Sequence, residues 1–143
     1  MDMQTRVSDA ERVAIEKEIM AIFERWNDSA NQVDTSDWLT FMSDAYNLGF
    51  LGGGEMVSST KELVENWTEG FKLLERQEDL EEPKVKLAVL SPEVVVGTSF
   101  NKNAAYYKNG TVAIAYFALT MVFVKIGGEW KLIHAHLSEK PVE

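Results

Sequence analysis

The sequence predicts an α+β fold, with helices in the first half packed on an antiparallel sheet formed by the second half. Three observations support this class. Up to Pro83, apolar residues recur at three- and four-residue spacing, as in a helix that buries one face. After Pro83 the apolar spacing becomes two, as in a β-strand. The dipeptides Asn109-Gly110 and Gly127-Gly128 divide that second half where hairpin turns are expected.

The first element is a helix that begins at Ser8. Ser8 followed by Glu11 is a capping box, in which each side chain caps the backbone amide of the other residue. Behind it, one apolar stripe continues over about six turns of helix. The stripe consists of Ile15, Ile19, Ile22, Phe23, Trp26 and Ala30.

A short second helix is expected to begin near Thr35-Ser36-Asp37. It would carry Trp38, Leu39, Phe41 and Met42. The apolar stretch Ala45–Leu51 is then predicted to be a short edge strand, because it stops at the turn residues Gly52-Gly53-Gly54.

A third helix is expected to begin at Ser59, which forms a second capping box with Glu62. Its acidic segment, Glu75–Glu82, is interpreted as a solvated helix end that Pro83 stops. The residues that share its apolar face are Leu63, Val64, Trp67, Phe71 and Leu74.

Four antiparallel strands are predicted after Pro83. Their segments are Lys84–Val89, Val94–Phe100, Thr111–Lys125 and Glu129–Ser138. Two-residue hairpin turns would place Lys108 opposite Thr111, and Ile126 opposite Glu129. This register assigns every side chain of the hairpins to one of two faces.

One face is bulky, and we assign it to the side covered by the helices. It collects Val96, Thr98, Phe100, Phe117, Leu119, Met121, Phe123, Trp130, Leu132, His134, His136 and Ser138. The other face is flat and rich in β-branched residues. It collects Val95, Gly97, Ser99, Val112, Ile114, Tyr116, Ala118, Thr120, Val122, Val124, Ile133, Ala135 and Leu137. A single helical layer covers only one face, so we expect a homodimer through this outer sheet face. The alternative is that residues outside the strands cover it.

Length and composition limit the classes of function. The 143 residues form one domain, taken as residues 1–143, and contain no cysteine, so disulfides and thiolate chemistry are excluded. A net charge of −9 repels phosphates and anionic headgroups, so no nucleic-acid and no membrane partner is expected. Met1–Arg6 lacks the apolar core of a signal peptide, and the expected location is the cytoplasm, although a chain whose leader had been removed would look the same.

The order of elements, together with the end of the chain, resembles a known superfamily. The ending reads Gly127-Gly128-Glu129-Trp130-Lys131-Leu132-Ile133-His134-Ala135-His136-Leu137-Ser138. It resembles the nuclear transport factor two-like superfamily, and within it the SnoaL-like, ketosteroid-isomerase-like domains. The resemblance covers nearly the whole chain. It implies a cystatin-like cone, in which three N-terminal helices pack on a curved, mainly antiparallel sheet around a pocket, commonly in a dimer.

The resemblance does not carry a ketosteroid isomerase activity. Those enzymes place a general-base aspartate after the first strand, where this chain has Phe50-Leu51-Gly52-Gly53. They also use a tyrosine on the first helix, where this chain has Phe23 and Trp26. The superfamily also includes dehydratases, cyclases, binding modules and oligomerisation domains.

His134 and His136 are the only two histidines, and they would lie on one side of a strand about 6 to 7 Å apart. They could anchor a ligand or act as acid and base. Equally, they could be core histidines hydrogen-bonded to each other, to Tyr46 or to Asp44. No third side chain has a convincing spacing for metal binding, so neither a metal nor another cofactor is expected.

The predicted pocket lining is mostly aromatic, although such residues are more often plain core. The predicted ligand-binding residues are Trp26, Tyr46, Trp67, Phe71, Phe117, Met121, His134 and His136. The leading hypothesis is a domain that binds a small apolar molecule. One alternative is a cofactor-independent isomerase, dehydratase or cyclase that uses a pocket histidine. Another is an association module, and the catalytic residues stay unassigned.

Overall fold

The computed structural model describes residues 7–142, so the prediction about a signal peptide in Met1–Arg6 lies outside the described residues. Two α-helices and seven strands follow one another. They are α1 (Asp9–Asn31), β1 (Phe50–Gly52), β2 (Glu55–Val57), α2 (Thr60–Phe71), β3 (Leu74–Asp79), β4 (Lys84–Ser91), β5 (Val94–Tyr107), β6 (Val112–Ile126) and β7 (Glu129–Pro141). The predicted α+β class is confirmed.

Both capping boxes mark the starts of the helices. The Ser8 hydroxyl accepts from the Glu11 amide at 3.1 Å, and the Ser59 hydroxyl accepts from the Glu62 amide at 3.1 Å. Each bond satisfies one of the amides that lack a partner in the first helical turn. The predicted starts of the first and third helices are therefore confirmed.

The predicted second helix is reduced to a single 3-10 turn, Trp38–Thr40. The helix stops because the next residues pair with β7 instead. The Leu132 amide donates to the Phe41 carbonyl at 2.7 Å, and the Ser43 amide donates to the Leu132 carbonyl at 3.0 Å. Residues 7–142 therefore contain two α-helices and not the three that were predicted.

The segment predicted as the solvated end of the third helix is the strand β3 instead. α2 ends at Phe71, and β3 pairs with β5 so that Asp79 lies opposite Asn103. Glutamate, lysine and arginine favour helices in isolation, but pairing with a neighbouring strand outweighs such weak preferences. Asp79 is therefore partly buried instead of solvated, and its carboxylate can make contacts inside the fold.

The seven strands form one mixed sheet in the order β2-β1-β7-β6-β5-β3, with β4 also paired to β5. All pairs are antiparallel except β1 with β7, which is parallel. The predicted edge strand Ala45–Leu51 begins only at Phe50, and it is not at the edge, because β1 lies between β2 and β7. The helices cover one side of the sheet, which we call the inner face, and the opposite side is the outer face.

The predicted register of the hairpin between β5 and β6 is wrong by one residue. Tyr106 lies opposite Val112, and the Tyr107 amide donates to the Thr111 carbonyl, so the loop has three residues. Only Gly110 of the loop has a positive φ, of 91°. A two-residue type I′ turn would require a positive φ at Asn109 as well. By contrast, Gly127 and Gly128 both have positive φ, and the predicted two-residue turn there is confirmed.

A β-bulge in β7 changes the faces of the last strand. Phe123 pairs with Leu132, but Val122 pairs with His134, so Ile133 is an extra residue. An extra residue reverses the alternation of every side chain that follows. Beyond the bulge, Ala135 and Leu137 therefore lie on the inner face, and His134 and His136 lie on the outer face.

Three errors of face assignment follow from these two irregularities. On β5, the set Val95, Gly97 and Ser99 is inner rather than outer, and the set Val96, Thr98 and Phe100 is outer rather than inner. On β7, the predicted faces hold only as far as Leu132. On β6 both predicted sets are correct, with Phe117, Leu119, Met121 and Phe123 on the inner face.

The core lies between the inner face and the two helices. Its fully buried large side chains are Ile19, Trp38, Val95, Met121, Phe123 and Leu132. At one end of this core the helices and the sheet separate and leave a cavity. Within residues 7–142, neither α-helix combines the length and the apolar character needed to cross a bilayer.

Candidate functional site

The cavity has a volume of about 340 Å³ and lies between α1, α2 and the inner face. This volume is in the range of small-molecule sites. Its lining is mostly apolar but includes a set of carboxamides. The lining residues are Phe23, Trp26, Asn27, Ala30, Asn31, Trp38, Phe50, Leu51, Gly52, Gly53, Glu55, Val57, Leu63, Asn66, Trp67, Gln77, Ser99, Asn101, Asn103, Phe117, Leu119, Ala135, Leu137 and Glu139.

Three tryptophans form one wall of the cavity. Trp38 is fully buried, and its ring centroid lies 6.1 Å from that of Trp26 and 5.9 Å from that of Trp67. The Trp38 indole N–H donates to the Ser29 hydroxyl at 2.8 Å, which satisfies its only polar group. Residues of α1, α2 and the 3-10 turn therefore build this wall together.

The polar part of the cavity wall, which we call its polar end, is organised around Asp79. Four asparagine side chains donate to this one carboxylate, two from α1 and two from β5. Asn27 and Asn31 donate to Oδ2 at 2.7 and 3.1 Å, and Asn101 and Asn103 donate to Oδ1 at 2.8 and 3.1 Å. We call these five residues the Asp79 cluster. It connects the C-terminal half of α1 to β3 and β5.

The sequence places these side chains together through two different periods. Asn27 and Asn31 are one helical turn apart, so they share a face of α1. Asn101 and Asn103 alternate along β5, so they share the inner face. Gln77 extends the polar surface, and its side chain donates to the Ala30 carbonyl at 2.9 Å.

One polar atom in the Asp79 cluster has no partner. Asn103 is only 6% exposed, and its Oδ1 is buried without a hydrogen bond. Leaving a buried acceptor unpaired costs about 1–3 kcal/mol. Such an orphaned group within a cavity wall indicates a position where a ligand donor would be favourable.

Two further carboxylates, Glu55 and Glu139, line the cavity and are exposed, which places them where it meets solvent. Among the described lining residues, none is a lysine, arginine or histidine. The charged groups of the cavity and of the cluster behind it are thus all acidic.

Only three of the predicted ligand-binding residues line the cavity, namely Trp26, Trp67 and Phe117. Phe71 is buried behind the tryptophan wall, 5.5 Å from the ring of Trp67. Met121 is fully buried in the core. Tyr46 is 60% exposed in the loop before β1.

The histidines do not face the cavity, and the prediction that they lie on the helix-covered side is wrong because of the bulge at Ile133. His134 lies opposite Val122, and its Nδ1 donates to the Gly49 carbonyl at 2.7 Å. Its ring stacks on Phe50 with centroids 6.4 Å apart. His136 lies opposite Thr120 and is exposed.

Sequence reasoning missed the Asp79 cluster. Asp79 fell within the supposed helix end, where an acidic residue is usually solvated. One signal was available, because asparagine is disfavoured in strands and two of them alternate at Asn101 and Asn103. Two asparagines on one face of a strand indicate that this face is polar at that point.

The groups with shifted pKa values lie outside the cavity. The Arg25 and Thr40 side chains donate to Asp37 and lower its pKa. Arg76 and Tyr106 likewise lower the pKa of Glu78. Within residues 7–142, no three acidic or histidine side chains are grouped so that they could hold a metal ion.

Solved structures with the same architecture share little sequence with this chain. A candidate scytalone dehydratase from Novosphingobium aromaticivorans has a TM-score of 0.79 at 9% identity, covering 95% of this chain and 89% of that one. A hexachlorocyclohexane dehydrochlorinase, LinA type 2, has a TM-score of 0.71 at 14% identity, covering 95% and 94%. A candidate calcium/calmodulin-dependent protein kinase II association domain from Xanthomonas campestris has a TM-score of 0.67 at 18% identity, covering 88% of each chain.

Identities this low show a shared fold and nothing about activity. No curated protein matches the chain by sequence. The profile of one family does match, over residues 19–143, and that family is described as a SnoaL-like domain. The match spans the C-terminal part of α1, all of α2, the cavity and the whole sheet. One further solved structure of similar architecture, from Caulobacter vibrioides, is described as having a cystatin-like fold. The chain therefore belongs to the SnoaL-like domain family.

Proposed function

We propose that this domain binds a small, largely apolar molecule in the cavity between its helices and the inner face of its sheet. The observation that carries the proposal is the cavity itself, with about 340 Å³ of space beside a wall of three tryptophans. A well-packed core leaves few spaces larger than a water molecule, so an opening of this size has a cost in stability. Ligand binding explains why it is kept.

The neighbours support a small-molecule role without defining it. Two of them are named as a dehydratase and a dehydrochlorinase. We favour binding over the isomerase, dehydratase or cyclase chemistry considered from the sequence. That chemistry relied on a histidine in the pocket, whereas neither histidine is among the lining residues. Trp26, Trp67 and Phe117 do line the cavity, which supports them as ligand contacts.

A thermal-shift screen with neutral aromatic and alicyclic compounds tests the proposal. Several should raise the melting temperature of the wild type. Leu119→Gln should abolish this response, because Leu119 lines the cavity. Thr120→Gln is the matched control, since Thr120 is the next residue of β6 and is exposed on the outer face. A screen without any stabilising compound, or equal loss in both variants, would contradict the proposal.

We also propose that two copies associate through the outer face. Phe100 and Ile114 are 42% and 36% exposed there, which is unusual for large apolar residues on one sheet face. A groove of about 330 Å³ lies beside them, lined by Phe100, Tyr116, Ala118, Ser138, Glu139 and Lys140. The neighbour from Xanthomonas campestris is named as an association domain.

Size-exclusion chromatography with light scattering tests the association. The wild type should elute as a dimer at micromolar concentration, and Ile114→Lys should convert it to a monomer. Val13→Lys is the control, because Val13 is 58% exposed on α1, away from the sheet. A monomeric wild type would exclude the dimer.

A further inference from the structure

The polar end of the cavity presents hydrogen-bond acceptors. An ionised carboxylate can only accept, so each carboxamide that contacts Asp79 must turn its NH₂ group toward it. The hydrogen bonds have this orientation for all four asparagines. Since the Oδ1 of each carboxamide is its other arm, it points away from Asp79. All four asparagines line the cavity and Asp79 does not. The Oδ1 of Asn31 accepts from Asn103, so the Oδ1 atoms of Asn27, Asn101 and Asn103 are the ones left without a donor among the described residues.

Asn103 gives independent evidence for a missing donor at this end. Its Nδ2 already donates to Asp79 and to the Oδ1 of Asn31, each at 3.1 Å. Its own Oδ1 is buried and has no partner. A ligand that brings N–H or O–H groups to this end would satisfy an acceptor that the protein leaves unpaired.

The acidic groups around the cavity favour a cationic N–H donor over a neutral O–H donor. The Asp79 carboxylate lies one side chain behind the cavity wall, and Glu55 and Glu139 lie where it opens. No basic side chain among the described lining residues offsets them. Charges of one sign in a cleft with apolar walls concentrate ions of the opposite sign.

We propose that the ligand is a protonated organic amine, with its ammonium group at the Asp79 cluster and its apolar body against Trp26 and Trp67. This inference rests on the proposed function, because it specifies the ligand class of the same cavity. A metal ion fits the cluster less well. Each Asp79 oxygen already accepts two N–H groups, which would face a metal with hydrogen atoms rather than lone pairs.

Three molecules of similar shape test the ligand class by isothermal titration at pH 7. They are 2-phenylethylamine, which is cationic, 2-phenylethanol, which is neutral, and phenylacetate, which is anionic. The amine should bind about tenfold or more tightly than the alcohol, and phenylacetate should not bind. Equal binding of amine and alcohol would overturn the amine inference and leave the proposed cavity function intact. No binding of any of the three would overturn both.

The role of the cluster is tested with Asp79→Asn, which removes the charge and keeps the shape. The dissociation constant for 2-phenylethylamine should rise about tenfold, while that for 2-phenylethanol should change less than about twofold. Glu78→Gln is the matched control. It removes one charge from the adjacent residue, which is exposed and bonded to Arg76 and Tyr106 instead. Equal effects of Asp79→Asn and Glu78→Gln would overturn the inference.

Asp79→Asn could also fail to fold, because four donors lose a charged acceptor. Circular dichroism would identify that case, and the double variant Glu55→Gln/Glu139→Gln then decides. Both side chains are exposed, so the fold should tolerate the change. Amine affinity should fall about threefold or more, with no change for the alcohol. Unchanged amine affinity would overturn the inference.

Discussion

At the scale of single residues, the two histidines of β7 have different surroundings despite their spacing. His134 is partly buried, donates to the Gly49 carbonyl and stacks on Phe50. This bond attaches the loop before β1 to β7. His136 is exposed, and its side chain has no hydrogen bond among the described residues. His134 therefore contributes contacts that hold the fold together, whereas His136 makes no such contact among the described residues.

Alanine substitutions separate these roles. His134→Ala should lower the free energy of unfolding by about 1–2 kcal/mol, because a buried carbonyl loses its donor. His136→Ala should change it by less than about 0.5 kcal/mol. Urea denaturation measures both values. Neither variant should alter the thermal shift produced by a cavity ligand, and loss of that shift in folded His134→Ala would return the histidine to the binding site.

Asp37 connects the 3-10 turn to α1 and makes stability depend on pH. Its Oδ2 accepts from Arg25 Nε at 3.1 Å, and its Oδ1 accepts from the Thr40 hydroxyl at 3.1 Å. These donors lower the pKa of Asp37 in the folded protein. A lowered pKa gives a contribution that is present above the unfolded pKa of about 4 and is lost as the pH falls through the folded value.

Asp37→Asn should therefore be less stable than the wild type at pH 7, and the difference should shrink toward zero as the pH falls below about 4. Urea midpoints at pH 7, 5, 4 and 3 measure it. Glu24→Gln is the control, since Glu24 is an exposed neighbour of Arg25 on α1. A constant difference between pH 7 and pH 3 would show that the carboxylate charge is not what stabilises the turn.

At the scale of elements, two glycines illustrate opposite conformational requirements. Gly110 closes the hairpin between β5 and β6 with a φ of 91°, which side chains with a Cβ rarely adopt. Gly70 lies in α2 with ordinary helical backbone, and nothing lies within 4 Å of the place where its Cβ would be. The first glycine is required by the backbone, whereas the second only weakens its helix.

Replacing each glycine with alanine should change stability in opposite directions. Gly110→Ala should lower the free energy of unfolding by about 1–2 kcal/mol through backbone strain. Gly70→Ala should raise it by about 0.5–1 kcal/mol, because alanine is the better helix former and restricts the unfolded chain. Chemical denaturation gives both values at an unchanged m-value. A shift of the same sign in both would contradict the assignment of the turn.

Features that depend only on neighbouring residues in the chain could be predicted from the sequence. Local signals located both helix starts and the Gly127-Gly128 turn, because a cap or a tight turn depends on neighbours in the chain. The loop length at Asn109 and the bulge at Ile133 depend on strand pairing, which the sequence does not specify locally. Each is a difference of one residue, yet each reverses a face of the sheet. The histidines were misplaced for this reason.

At the scale of the whole molecule, the candidate site was predictable only in its apolar half. Trp26, Trp67 and Phe117 followed from helical and strand periods. The Asp79 cluster combines α1, β3 and β5, and β3 itself was predicted as helix. A charged residue on one strand that accepts from donors on two other elements has no local sequence pattern. The apolar wall and the acceptor end therefore become visible together only in the folded chain.

Filling the cavity should raise the free energy of unfolding, because an opening kept for function is not optimised for stability. Ala30 lines the cavity from α1, and a larger side chain there would extend into free space. Ala30→Leu should raise the free energy of unfolding by about 0.5–2 kcal/mol, since it fills an existing void. It should also weaken binding of 2-phenylethylamine at least about tenfold, because the leucine occupies the space of the ligand.

Ala21→Leu is the control for helix propensity and added apolar surface, because Ala21 lies on the exposed side of the same helix. It should leave both stability and binding nearly unchanged. Urea denaturation and calorimetric titration of the three proteins give the comparison. Stabilisation with intact binding would place the ligand elsewhere. Destabilisation by Ala30→Leu would mean that this end of the cavity is too narrow for added atoms, and that the space for a ligand lies nearer its opening at Glu55 and Glu139.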